Sequence, residues 1–367
     1  MFNATSLLTN DNRECLMRSL EMPGASILDV CAVQASYGHL LVLKSDGEIC
    51  GVNLDDGLMT SLCSVELPEL PSDAGHSHFG APAWRLHSNI SGRYCAIVVD
   101  RGRKGLVVDT SSGVITMMLD GGDYYEETVP FSACFLLVDG KDVLVHRSAW
   151  NRLDAADPAT GIPLTDRHIA PYEEAGARPA HYLDYFHGRL WPSPDGGRVL
   201  DDGWVWHPVS VPRIWSASDW VRLNPWESED GASVVDLVFR DDWNTSTCWI
   251  DDSHVAMWGL VDSDDPEESG KRPGVQISDA ASKDRSSDVQ WPIEADQAPR
   301  DLFSDGKRLF IVDEKSFAVW DIASRTRIAT LPNISPRIYD AKRGTLVAIG
   351  ESAVAEIALP WLADQSD

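Results

Sequence analysis

Residues 301–331 read DLFSDGKRLFIVDEKSFAVWDIASRTRIATL. Four short apolar runs are separated by the turns Asp305-Gly306-Lys307, Asp313-Glu314-Lys315 and Ala323-Ser324-Arg325. Runs this short, rich in Phe, Val, Ile and Leu and without 3.6-residue spacing, read as strands rather than helices. Glycine supplies the positive φ that a tight hairpin needs, and aspartate tolerates it while bonding its own backbone. The stretch therefore predicts four antiparallel strands joined by hairpins.

The same unit recurs on both sides. Upstream, GHLLVLK meets Ser45-Asp46-Gly47 and then EICGVN; downstream, Lys342-Arg343-Gly344 is followed by TLVAIG. Candidate units lie near 37–65, 94–120, 134–165, 189–220, 247–278, 301–331 and 337–358 of the sequence. Their spacing of about 50 residues suits a propeller blade. A β-sandwich repeats strands without repeating the whole three-turn unit. The prediction is an all-β, single-domain β-propeller over 1–367, with seven blades of four antiparallel strands. The less regular units leave six and eight open. The last unit holds three strands, so the N-terminal segment 1–35 is expected to supply a closing strand, from Ala4–Thr9 or Cys15–Leu20.

At 43% hydrophobic residues the chain can build a sizeable core, and its formal net charge of −26 repels nucleic acid and anionic lipid. Neither partner class is expected. The N-terminus MFNATSLLTNDNRECLMRSL lacks a secretory leader's basic and apolar regions, and no run approaches the ~18 apolar residues of a membrane span. The seven cysteines are scattered without a C-x-x-C pair, which suggests reduced thiols and a cytoplasmic setting. A monomer is expected.

The repeat resembles the WD40-like and quinoprotein-like propellers over roughly residues 35–360. Val319-Trp320-Asp321-Ile322 is similar to the end of a WD40 strand, and Ala155-Ala156-Asp157-Pro158-Ala159-Thr160-Gly161 to a quinoprotein turn. Most units lack the WD40 Gly-His element, and the Trp that follows the quinoprotein Thr-Gly turn is missing, so no quinone or other cofactor is expected. The chain also resembles compact bacterial propellers, some of which act as accessories to ATPase-based systems. The resemblance implies a scaffold, and a scaffold does not fix a function.

Between Trp150 and Trp258, ends included, lie ten of the 14 tryptophans. The densest part is HYLDYFHGRLW at 181–191 and DDGWVWHPVSVPRIW at 201–215. Aromatics with polar edges make binding platforms, and the same residues also fill the gaps between blades. Asp184, Tyr185, His187, Trp191, Trp204, Trp206 and His207 are the partner-binding candidates. No elbow, P-loop or metalloprotease motif marks a catalytic residue. His76 and His78, with His87 nearby, are a weak metal suspicion in a Gly- and Pro-rich stretch. Residues 262–290 read as a long polar inter-strand segment, its acidic start a steering element. The expected role is a non-enzymatic protein-interaction scaffold. The rivals are a hydrolase or lyase with a central-channel site, and a small-ligand sensor.

Overall fold

The computed structural model describes residues 3–8, 13–71, 79–168, 177–206, 208–241, 243–262 and 270–365. Seven antiparallel sheets form a seven-bladed β-propeller. Blade 1 comprises Ile27–Ala35, Gly38–Lys44, Glu48–Val52 and Met59–Ser64. Blade 2 comprises Ala83–Ser88, Tyr94–Asp100, Lys104–Asp109 and Val114–Asp120. Blade 3 has Ala133–Val138, Lys141–Ala149 and Arg152–Ala156, with one bridge from Ala156 to Pro163 in place of a fourth strand. Blade 4 runs Phe186–Pro192, Arg198–Val205, Arg213–Ser216 and Val235–Asp236, with Val209–Ser210 beside its second strand. Blade 5 is Thr247–Trp249, His254–Leu260, Arg272–Asp279 and Val289–Pro292; blade 6 is Asp301–Ser304, Arg308–Val312, Ser316–Asp321 and Thr326–Pro332.

Blade 7 joins the two ends of the chain. Its inner strands Ile338–Asp340, Thr345–Ile349 and Ala353–Ala358 come from the C-terminal side. Glu14–Glu21 pairs with Ala353–Ala358 from Leu16↔Ala358 to Glu21↔Ala353, and Asn3–Leu8 adds a fifth strand outside it. Both candidate segments are thus used. Ile27–Ala35, which the sequence places in the closing segment, is instead the innermost strand of blade 1.

Alternating side chains on each strand face the two neighbouring blades, so apolar residues gather in the gaps between blades. Seven clusters fill seven gaps. Leu20, Val347 and Val354 of blade 7 meet Val30, Leu40 and Val42 of blade 1. Cys134, Val145 and Leu153 of blade 3 meet Trp215 and Trp220 of blade 4. The remaining five clusters bridge blades 1–2, 2–3, 4–5, 5–6 and 6–7. No gap depends on polar contacts alone, so the ring is held all the way round by burial.

The turns carry the local signal read from the sequence. Asp46, Asp195 and Asp305 each accept a bond from the backbone N–H two residues on. Asp139 and Gly140 both have positive φ, 55° and 70°, as a two-residue hairpin between Val138 and Lys141 requires. At Gly47, φ is +83° and an added Cβ would meet the Val65 carbonyl oxygen at 1.9 Å, so no other residue fits.

Two departures from the sequence reading stand out. The segment 262–290 is not one long polar connection: Arg272–Asp279 is the third strand of blade 5, paired with His254–Leu260. Pro273 and Gly274 disguise its start. Of the acidic steering loop 262–270, residues 263–269 lie outside the described residues. Two short helices, Ala217–Arg222 and Glu227–Asp230, interrupt blade 4 between its third and fourth strands. Trp220 in the first is buried, so this insertion belongs to the core. Among the described residues no helix is long and apolar enough to cross a membrane, and all seven cysteines are free thiols.

Candidate functional site

The antiparallel alternation puts two sets of loops on one face: the blade-to-blade connections and the turns between second and third strands. Two features lie on this face, an aromatic shelf and the mouth of the central channel.

The shelf is built on an aromatic spine whose centre, Phe186 and Trp204, is buried and whose ends, Trp150 and Trp243, are half-buried. Phe186 stacks on Trp204 at 4.1 Å between ring centroids, and Trp204 on Trp243 at 5.1 Å. Trp150 closes the spine against Phe186 at 4.5 Å. Above it stand Tyr124, Tyr125 and Trp206, each 41–45% exposed. Trp206 meets Trp204 and Tyr125 edge-on at 5.2 and 5.3 Å. Tyr125 has φ 53° and ψ 37°, a left-handed backbone that a bulky residue rarely adopts.

The sequence candidates divide between surface and support. Trp206 is on the shelf. Trp204, Tyr185 and His187 are buried. The Tyr185 hydroxyl donates to the Val211 carbonyl and accepts from the Gly203 N–H, both at 2.9 Å. His187 Nδ1 lies 2.6 Å from the equally buried Asp201. These three brace the site from within and offer no contact surface. Asp184 is half-buried and pairs with Arg178 at 3.3 Å. Trp191 lies in the channel rather than on the shelf. His207, His76 and His78 lie outside the described residues. His87 is described; burial lowers it to about 4, and its Nε2 has no partner among the described residues. Among the described residues no group of three metal-ligating side chains exists.

The channel mouth opens into a cavity of about 200 Å³. Arg85 and Arg189 reach it from the inner strands of blades 2 and 4, and Arg300 and Arg337 from connections leading into blades 6 and 7. Their side chains are 20–35% exposed, whereas those of the aspartates behind them are 3–7% exposed. Arg85 Nε lies 2.9 Å from Asp100, and Arg337 Nε 2.9 Å from Asp29. Asp301 takes Arg189 at 3.2 Å and Arg300 at 2.9 Å. Asp29 and Asp100 also accept the backbone N–H of Leu86 and Phe131. Each aspartate thereby ties the wall of one blade to its neighbours.

Burial alone would raise the Asp29 and Asp100 carboxyls. The guanidiniums of Arg337 and Arg85 outweigh it at Asp29, and Arg85 leads the charges that outweigh it at Asp100, so both are held below the usual range. Held ionised at neutral pH, they are poor proton donors and weak bases. Arg189 moves the other way: burial, then the nearby Arg85 and Arg337, lower its guanidinium. Arg85 is raised instead, because the charges of Asp100 and Asp29 outweigh its burial.

These shifts set an acid limit. A carboxyl whose folded pKa lies below its unfolded value contributes stability above the ordinary 3.8 and loses it as pH falls through the folded value. Thermal unfolding is expected to drop steeply below about pH 4, and the drop is expected to be shallower in Asp100→Asn.

The chain matches no protein-family model and no curated protein. The arginines carried no local signal, because 85, 189, 300 and 337 meet only when the ring closes. Tyr124 and Tyr125 were missed in a short acidic loop, although two adjacent aromatics there are a usable sign.

Proposed function

We propose that this propeller is a recognition module that docks a protein partner on its aromatic shelf. The reading rests on Tyr124, Tyr125 and Trp206, three exposed rings packed against an aromatic spine with a buried centre. Exposed aromatics held rigid in advance give large contact area at small ordering cost. The left-handed backbone at Tyr125 supports the same reading, since strain of that kind gathers at functional sites. Asp29 and Asp100, held ionised and tied to arginines, favour recognition over hydrolysis or elimination at the channel.

Trp206→Ala and Tyr125→Ala together are expected to abolish capture of a stoichiometric partner from the native extract. Each change alone is expected to alter stability by about 1 kcal/mol, as for half-exposed positions. Affinity capture with wild type and variant, alongside thermal unfolding, checks both. Undiminished capture by the folded variant contradicts the reading.

A further inference from the structure

We propose that the channel mouth is a binding site for a small dianion, of the oxyanion or dicarboxylate class, held by Arg85, Arg189 and Arg337. The site is distinct from the shelf, and no protein partner is needed to occupy it.

Charge is the first argument. Five arginines and three aspartates line the cavity, a local excess of two positive charges in a chain whose formal net charge is −26. An excess of this sign is costly to maintain without a use, because like charges crowd one another in a confined space. The Arg189 guanidinium is lowered first by burial and then by the adjacent Arg85 and Arg337. An anion between these groups relieves the crowding.

Unused donors are the second argument. A guanidinium has five N–H groups in a planar fork. Among the described residues, Arg85 and Arg337 each spend only Nε on the aspartate behind, and Arg189 spends only Nη1, on Asp301. Both terminal nitrogens of Arg85 and Arg337 remain, and they are the edge that binds oxyanions in a forked manner. Because the aspartates grip the guanidiniums from the rear, the forks are fixed before any ligand arrives. Trp191, 5.0 Å from the Arg189 guanidinium, fixes that side chain as well.

The third argument is a buried hydroxyl. Thr245 lines the same cavity, is 9% exposed, and among the described residues its Oγ1 has no hydrogen-bond partner. An unpaired buried hydroxyl is costly, and an oxygen ligand would satisfy it. Two lining groups are unfavourable: among the described residues Asp202 Oδ2 and Asn244 Oδ1 are also unpaired acceptors, but the other oxygen of the Asp202 carboxylate is bound by Arg240 at 3.0 Å, and Asn244 Nδ2 donates to the Thr128 carbonyl. The cavity of about 200 Å³ is below the range of about 300–1,000 Å³ usual for larger organic ligands, so the ligand is small.

The test uses the full chain, titrated with inorganic phosphate, sulfate, malonate and chloride at constant ionic strength. Thermal unfolding and calorimetry are the readouts. Saturable stabilisation by phosphate or sulfate identifies a tetrahedral oxyanion, and by malonate a dicarboxylate; either supports the site. Arg189→Gln is expected to weaken binding at least about tenfold, as for the loss of a charged hydrogen bond. It leaves Asp301 paired with Arg300, so the fold should persist. Arg93→Gln, at an exposed arginine outside the cavity, should bind as wild type does. Equal response to all four anions, or equal loss in both variants, overturns the proposal. The wild-type titration decides the matter even if Arg189→Gln proves unstable.

Discussion

Deletion of residues 1–21 is expected to destroy the cooperatively folding ring. It removes Glu14–Glu21, whose ladder with Ala353–Ala358 closes blade 7. Cys15 and Leu20, both fully buried, leave two different inter-blade clusters at once. The bond of Arg18 Nε to Glu356 at 3.1 Å goes too, leaving that buried carboxylate to Arg343 and Thr345. Apolar burial contributes about 1.5–3 kcal/mol per large side chain, and the lost backbone pairing adds to it. The sum reaches about 5 kcal/mol, comparable with the whole stability of many domains. The bared edge of Ala353–Ala358 then becomes a template for intermolecular pairing. Size-exclusion chromatography should show self-associated material, and thermal scans should lose their single sharp transition. A truncated chain with the same elution volume per mass and the same Tm as the full chain would remove the closing strand from the account.

The second large effect is expected at Arg240. Its side chain is 1% exposed and pinned by Asp202 at 3.0 Å, the Trp258 carbonyl at 3.1 Å and Ser210 Oγ at 3.4 Å. It fastens the connection between blades 4 and 5 to the strands on either side. Arg240→Ala leaves a buried carboxylate without its cation, a change that costs about 3–5 kcal/mol. Replacing both partners with apolar residues, as in Arg240→Met with Asp202→Leu, is expected to cost far less. The pH dependence has a definite sign. Burial already raises the Asp202 carboxyl from 3.8, even with Arg240 present, and removing Arg240 raises it further. A raised acid binds its proton more tightly in the folded state, so stability falls as pH climbs above the unfolded value. The variant's deficit should therefore be larger at pH 7 than at pH 5, as measured by urea denaturation. A deficit independent of pH would mean that Asp202 is already neutral in the wild type.

The ring was legible in the sequence because its turns are local. Asp-Gly at 139–140 and the aspartates at 46, 195 and 305 do there what their backbone chemistry dictates. Much of the rest was hidden for one physical reason. The inner strand of blade 2 reads AWRLHS, with Arg85 and His87 in it, and that of blade 1 carries Asp29 and Gln34. Residues facing a polar channel break the apolar run by which a strand is recognised. The groups that build the channel mouth thus concealed the strands that carry them.

The tryptophan-rich stretch was visible as a density of rings, and its division into spine and shelf was not. Trp204 and Trp206 are two residues apart, yet one is 3% exposed and the other 41%. That difference is made by Tyr125, Trp243 and Phe186, which approach from blade-to-blade connections and a neighbouring strand. Alternation within one strand carries no information about them.

Amide hydrogen exchange tests the closed ring most directly. Closure through blade 7 predicts that the amides of Glu14–Glu21 are protected as strongly as those of Tyr94–Asp100, in the middle of blade 2, because both open only on global unfolding. Exchange of Glu14–Glu21 within seconds, with the blades still protected, would contradict it.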